Sequence, residues 1–222
     1  MLNPNTFYHI YNHANGSENL FREDKNYAYF LQLFQKHISP IADTYAYCLM
    51  PNHFHFLLKI KEVAVFQTFL KLRTFPKFGT LEKFKSLEKL NKHETLEKFD
   101  TPESYLNLQR FISKQFANCF SAYTQGFNKV YGRKGSLFLK NFKSKEVETD
   151  LYFTRLTNYI HFNPVAHGFT KDVKEWQYSS YHAFMENSNN NNVKEYTFKA
   201  FGGFTAFLNA HKKAINLADA FD

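Results

Sequence analysis

Apolar positions along the chain change period several times, and each change marks an element. Phe7 to Asn12, FYHIYN, is aromatic and β-branched and runs into the loop HANGSEN, which predicts a first strand. Behind Asp24, read as a capping residue, Tyr27, Phe30, Leu31, Phe34 and Ile38 recur at helical spacing. A helix is therefore predicted over about 25–38, with Pro40 as its stop. TYAYCLM (44–50) and HFHFLLKI (53–60) read as strands separated by Pro51-Asn52, a turn or bulge signal. Val63, Phe66, Phe69, Leu70 and Arg73 open another helix. Leu108, Phe111, Ile112, Phe116, Cys119, Phe120 and Tyr123 form a long apolar stripe, a helix that should pack across a sheet and stop near Gly126. The glycine-punctuated YGRKGSLFLKNFKSKEV (131–147) reads as a strand or hairpin. A further helix starts near Thr149 and carries Tyr152, Leu156, Tyr159 and Ile160. Pro164 disfavours a helical conformation at Asn163, so its end is predicted there.

Two stretches break the pattern. Residues 77–104 are rich in Lys and Glu and repeat TLEKF at 80–84 and 95–99. They read as a solvated helical insertion, with a partner-binding arm as the other reading. SNNNN at 188–192 marks a loop before a short C-terminal helix. Strands interleaved with helices, and no glycine-rich nucleotide loop, predict an α+β sandwich: a mostly antiparallel sheet with helices packed on it. The division expected is one domain over 1–185, carrying the insertion, and an extension over 186–222.

Charge narrows the partners. The excess of Lys and Arg gives a formal charge of +8, which favours a polyanion. The N-terminal MLNPNTFYHIYNHANG has no basic leader or apolar segment, and no run is long enough to span a bilayer. Cys48 and Cys119 sit in apolar stretches and read as reduced and buried. A soluble, cytoplasmic protein whose charge meets nucleic acid and not membrane is the expectation.

The candidate chemistry begins at PNHFHFLL (51–58). Side chains alternate across a strand, so His53 and His55 share one face while Phe54, Phe56 and Leu58 share the other. Two imidazoles at that spacing can converge on one metal ion; two solvated histidines on an exposed face is the other reading. LTNYIHFNPVAHGF (156–169) supplies the second stretch. On a helix, Arg155, Tyr159 and Asn163 form one row, a guanidinium, a phenol and an amide oxygen. Packed beside the histidine strand, that row offers Asn163 as a third ligand, with Arg155 placed to meet a phosphate.

MPNHFHFLL (50–58) and YIHFNPVAHGF (159–169) occur in order with FYHIYNHANGSENLFREDKNYAYFL, YGRKGSLF (131–138) and EWQYSSYHAF (175–184). As a set these resemble the HUH-type single-tyrosine transposases, in particular the REP-associated tyrosine transposase branch. The resemblance implies a ferredoxin-like, RRM-like sheet, His53 and His55 as metal ligands, Tyr159 as nucleophile and Asn163 as the polar ligand one turn later. It implies cleavage and rejoining of single-stranded, hairpin-forming DNA through a 5′-phosphotyrosine, with Mg²⁺ or Mn²⁺. Two departures stand out: relatives often carry arginine where this chain has His13, and the 77–104 segment is longer than the usual connection.

The DNA itself needs cations and stacking faces. Arg133, Lys134, Lys140, Lys143 and Lys145 occur with no acidic residue between 131 and 145, interleaved with Tyr131, Phe138 and Phe142. The expectation is an open sheet face bearing the histidines, beside a groove lined by this basic segment. A non-catalytic nucleic-acid-binding module on the same sheet is the competing reading. The sequence leaves open monomer or homodimer, since nothing in it identifies an interface.

Overall fold

The computed structural model of the protein describes residues 1–72, 101–186 and 192–212. Its strands are β1 (Phe7–His13), β2 (Ala42–Met50), β3 (His53–Ile60) and β4 (Lys143–Glu146). Its helices are α1 (Asp24–His37), α2 (Val63–Leu72), α3 (Pro102–Val130), α4 (Asp150–Ala166), and the shorter α5 (Tyr181–Met185), α6 (Asn192–Phe201) and α7 (Phe204–Ala210). The strands form one sheet in the order β2-β3-β1-β4, antiparallel at every contact. Strands β1 and β2 both oppose β3 and so run parallel to each other, which requires the crossover that α1 supplies. This is the strand order of a ferredoxin-like sandwich, the α+β class expected.

Alternation along the strands divides the sheet into two chemistries. Phe54, Phe56, Leu58 and Ile60 of β3 join Tyr8 and Ile10 of β1 beneath α1 and α3. Phe30 of α1 has no exposed surface, and its ring centroid lies 5.1 Å from Tyr123, 5.3 Å from Phe21 and 5.5 Å from Phe54. On the opposite face, Cys48 and Met50 of β2 and Leu57 of β3 meet Phe153, Leu156 and Ile160 of α4, with Val193, Tyr196 and Ala200 of α6 packed against them. Both cysteines are buried and free, as expected.

The edges of the sheet differ. Residues 178–180 cover β2: Leu49 N–H donates to Tyr178 O at 2.9 Å, and Ser180 N–H to Tyr47 O at 3.0 Å. All four residues of β4 are exposed, and among the described residues its outer edge pairs with no other strand.

Several boundaries depart from the sequence pattern, each for a local reason. The N-cap of α1 is Glu23, not Asp24, with Asn26 closing a reciprocal capping box. Helix α3 runs past Gly126 to Val130. A Cβ at Gly126 would stand 2.7 Å from Tyr29 Cε1, so this glycine serves the close approach of α1 and α3, not termination. Segment 131–147 is not a hairpin; its one strand is β4. Positive φ angles at Gly132, Gly135 and Asn141 interrupt any extended run. Leu137 and Phe138 turn into the core instead. Helix α4 continues through Pro164 to Ala166. A proline this near the end forfeits one backbone bond, and the terminal carbonyls are met by His167 N–H on Asn163 O and Phe169 N–H on Pro164 O. The Lys/Glu-rich insertion expected over 77–104 lies outside the described residues except for its last four, where Thr101 caps α3 and accepts from Ser104 N–H at 3.2 Å. Among the described residues no helix is long and apolar enough to cross a membrane.

Candidate functional site

The sheet face under α4 holds a cluster of imidazoles. Strand β1 contributes His9, Tyr11 and His13; β3 contributes His53 and His55. Register sets His13 opposite His53 and Tyr11 opposite His55. The sequence predicts an open face for these histidines, and the structure corrects that, because α4 roofs it: His53 and His55 are each 4% exposed. With α1 and α3 occupying the other face, this is where the apolar residues of α4 find cover, and the polar residues of the same helix arrive with them.

The contacts join segments far apart in the chain. His53 Nε2 and Asn163 Oδ1 are 2.8 Å apart. His53 Nδ1 lies 2.7 Å from Asn52 Oδ1, and His55 Nδ1 lies 2.9 Å from His9 Nε2. The ring of Tyr159 stands edge-on to His55, with centroids 5.2 Å apart, and its hydroxyl lies near Asn163. Tyr11 stacks on His9 at 4.6 Å. Exposed His13 stacks on His53 at 4.7 Å, and His167, just past α4, meets His53 at 5.1 Å.

Burial sets the charge state. It pushes His9 down to about 3, His53 down to about 4 and His55 well below the ordinary imidazole value. These rings are neutral near pH 7, the form that keeps a lone pair for a metal. Burial raises the Tyr159 phenol, and the neighbouring Asn163 amide opposes that rise.

Do these residues fit a divalent ion? Among the described residues no three His, Cys, Asp or Glu side chains converge with metal-binding geometry, so the third donor has to be the Asn163 amide. Neutral His53 has one N–H but faces two amide oxygens, those of Asn52 and Asn163. Buried Asn163 Nδ2 meanwhile has no partner. Leaving a buried polar group unpaired costs about 1–3 kcal/mol. A cation taking the lone pairs of His53 Nε2 and Asn163 Oδ1 removes the conflict between them; in its absence, a half-turn of the amide presents Nδ2 to Nε2. Two neutral imidazoles and one amide oxygen fit a divalent transition ion such as Mn²⁺, with positions left for phosphate oxygens, and suit Mg²⁺, which prefers oxygen ligands, less well.

The remaining expected site residues disperse. Lys143 pairs with Tyr11 and Lys145 with His9, so both project from the exposed edge onto the histidine face. Lys145 Nζ lies 5.5 Å from the Tyr152 ring. Lys134 and Lys140 are exposed on the preceding loop. Arg133 is committed elsewhere, with Nε 3.1 Å from Glu18 and an Nη donating to Asn128 at 2.8 Å. Arg155 is exposed and lines a shallow hollow with Asn158, Ala200, Phe201 and Ala210. The aromatics of 131–145 offer no stacking row: Phe138 is core, Phe142 packs on Phe116, and the Tyr131 hydroxyl donates to Glu23.

Sequence reasoning missed His9, Tyr11, Asn52 and His167 as members of this cluster. The signal for the first two was present, because His9, Tyr11 and His13 recur at the same two-residue period that singled out His53 and His55.

Comparison with known proteins agrees with the ordered motifs. No family model matches the chain. A curated protein of Haemophilus influenzae, "Putative REP-associated tyrosine transposase", is 22% identical over 142 residues, 63% of this chain. The chain spans 59% of that relative's length. A solved structure of a REP-associated tyrosine transposase bound to a REP hairpin aligns over 87% of this chain and 86% of its own, at 15% identity and a TM-score of 0.46, a likeness too loose to assign any residue a role. By its motifs and by a curated relative, the chain is similar to the REP-associated tyrosine transposases.

Proposed function

We propose that the protein cleaves and rejoins single-stranded, hairpin-forming DNA through Tyr159, with a divalent ion held by His53, His55 and Asn163. The observation that carries this reading is the meeting of His53 with Asn163 at 2.8 Å, beside the Tyr159 ring, across 110 residues of chain.

The chemistry is transesterification. The Tyr159 oxygen bonds to phosphorus as the bond from phosphorus to the 3′ oxygen breaks. The phenol loses a proton, the departing 3′ oxygen gains one, and a 5′-phosphotyrosine remains. Because the ester is conserved, a 3′-hydroxyl can reverse the step without ATP. Burial raises the phenol's pKa, so the group that attacks starts as a neutral hydroxyl. Asn163 lies beside the hydroxyl, while His55 and His9 wall the ring. When bound, a divalent ion would polarise the scissile phosphate and stabilise the leaving oxygen.

The test is incubation with labelled hairpin DNA and Mn²⁺, followed by a denaturing gel. A covalent adduct that disappears with EDTA is expected. Binding without an adduct on any hairpin would leave a DNA-binding module on the same sheet.

Lys143 and Lys145 stand where a strand entering from the β4 edge would place its phosphates. The double substitution Lys143→Gln, Lys145→Gln should weaken DNA binding and reduce the slope of log affinity against log salt by about 1.4, two contacts at roughly 0.7 each. An unchanged slope would remove both lysines from the interface.

A further inference from the structure

Both histidines of the pair are held from behind. His55 Nδ1 meets the His9 ring, and His53 Nδ1 meets the Asn52 amide oxygen. A neutral imidazole carries one proton and one lone pair, so a partner that fixes the proton at one nitrogen fixes the lone pair at the other. For His53 the two facing oxygens compete for that proton. Asn163 is 1% exposed and its Nδ2 is unpartnered, so turning its amide gives a buried donor an acceptor at His53 Nε2. Turning the exposed Asn52 instead would leave that donor unmet. The proton therefore belongs on Nδ1, shared with Asn52.

The His9–His55 contact holds one proton between two nitrogens, in rings 2% and 4% exposed. Were His9 the donor there, His55 would carry its own proton on Nε2 and have no lone pair left for a cation. Strand register makes the arrangement rigid, since His9 and His55 lie on neighbouring strands and their rings stack 5.1 Å apart.

We propose that His9 and Asn52 are positioning residues: they keep the protons of His55 and His53 on Nδ1, so that both rings present an Nε2 lone pair to one divalent cation. This rests on the metal-site reading above. Groups that hydrogen-bond behind a ligating histidine commonly govern metal affinity by about 10–100-fold.

The experiment uses the full chain, labelled with ¹⁵N-histidine and free of metal. Long-range proton–nitrogen correlation spectra report which ring nitrogen bears hydrogen, and calorimetric titration with Mn²⁺ reports affinity. The wild type should show His53 and His55 as Nδ1–H. His9→Phe and Asn52→Leu should each weaken Mn²⁺ binding by about 10–100-fold. Asn52→Asp, which retains an acceptor, should bind at least as tightly as wild type. Hydrogen on Nε2 of either ring in the wild type, or wild-type Mn²⁺ affinity in both His9→Phe and Asn52→Leu, overturns the proposal. Should His9→Phe not fold, the wild-type spectrum and the two Asn52 variants still decide it. Absence of Mn²⁺ binding by the wild type overturns the metal site itself, a failure seen before any substitution is made.

Discussion

Tyr159→Phe is expected to abolish the covalent DNA adduct while leaving hairpin affinity close to that of the wild type. The substitution removes one oxygen and keeps the ring. That ring is half-buried against His55 and His9, so the packing under α4 survives. Asn163 keeps its contact with His53. A gel assay for the adduct, run beside a binding titration, separates the two effects. An adduct that persists in Tyr159→Phe would transfer the nucleophile to another residue. A collapse of binding together with the adduct would make the tyrosine a structural support.

Phe30→Ala should be the most destabilising single change in the aromatic core, costing about 3–5 kcal/mol of unfolding free energy. Phe30 is fully buried between both core helices and β3 and touches four rings from three other segments. Those neighbours are themselves large and interlocked, so the cavity cannot close by the shift of one side chain. Against a typical domain stability of about 5–15 kcal/mol the loss is a large fraction. Urea unfolding of wild type, Phe30→Leu and Phe30→Ala would check it, with the leucine variant expected to lose less than half as much. A loss below about 1 kcal/mol for alanine would mean that the site collapses around the gap.

The fold was legible because its elements carry strong periodicities. HFHFLLKI matches β3 residue for residue, and the Leu108–Tyr123 stripe matches the buried face of α3. Gly126 and Pro164 misled for one reason: a residue that usually ends a helix was read locally, and tertiary contact decided otherwise. At Gly126 the reason is the Tyr29 ring; at Pro164 it is the nearness of the helix end. The pairing of His53 with Asn163 followed from alternation plus a helical row. The roof over it did not, since no pattern in one segment reveals which sheet face a distant helix will take. Arg133 was illegible for a related reason, because its partners Glu18 and Asn128 come together only in the folded chain.

Strand β3 has one further consequence, for how errors in folding are punished. It presents histidines to α4 and phenylalanines to α1 and α3 on a strict two-residue beat. A slip of one residue against β1 or β2 would drive His53 and His55 into the aromatic core and set Phe54 and Phe56 beside Tyr159. Such a chain would lose its chemistry and its stability together. A single inserted residue after Asn52 should therefore yield no folded but inactive protein. The strand acts as its own proofreader.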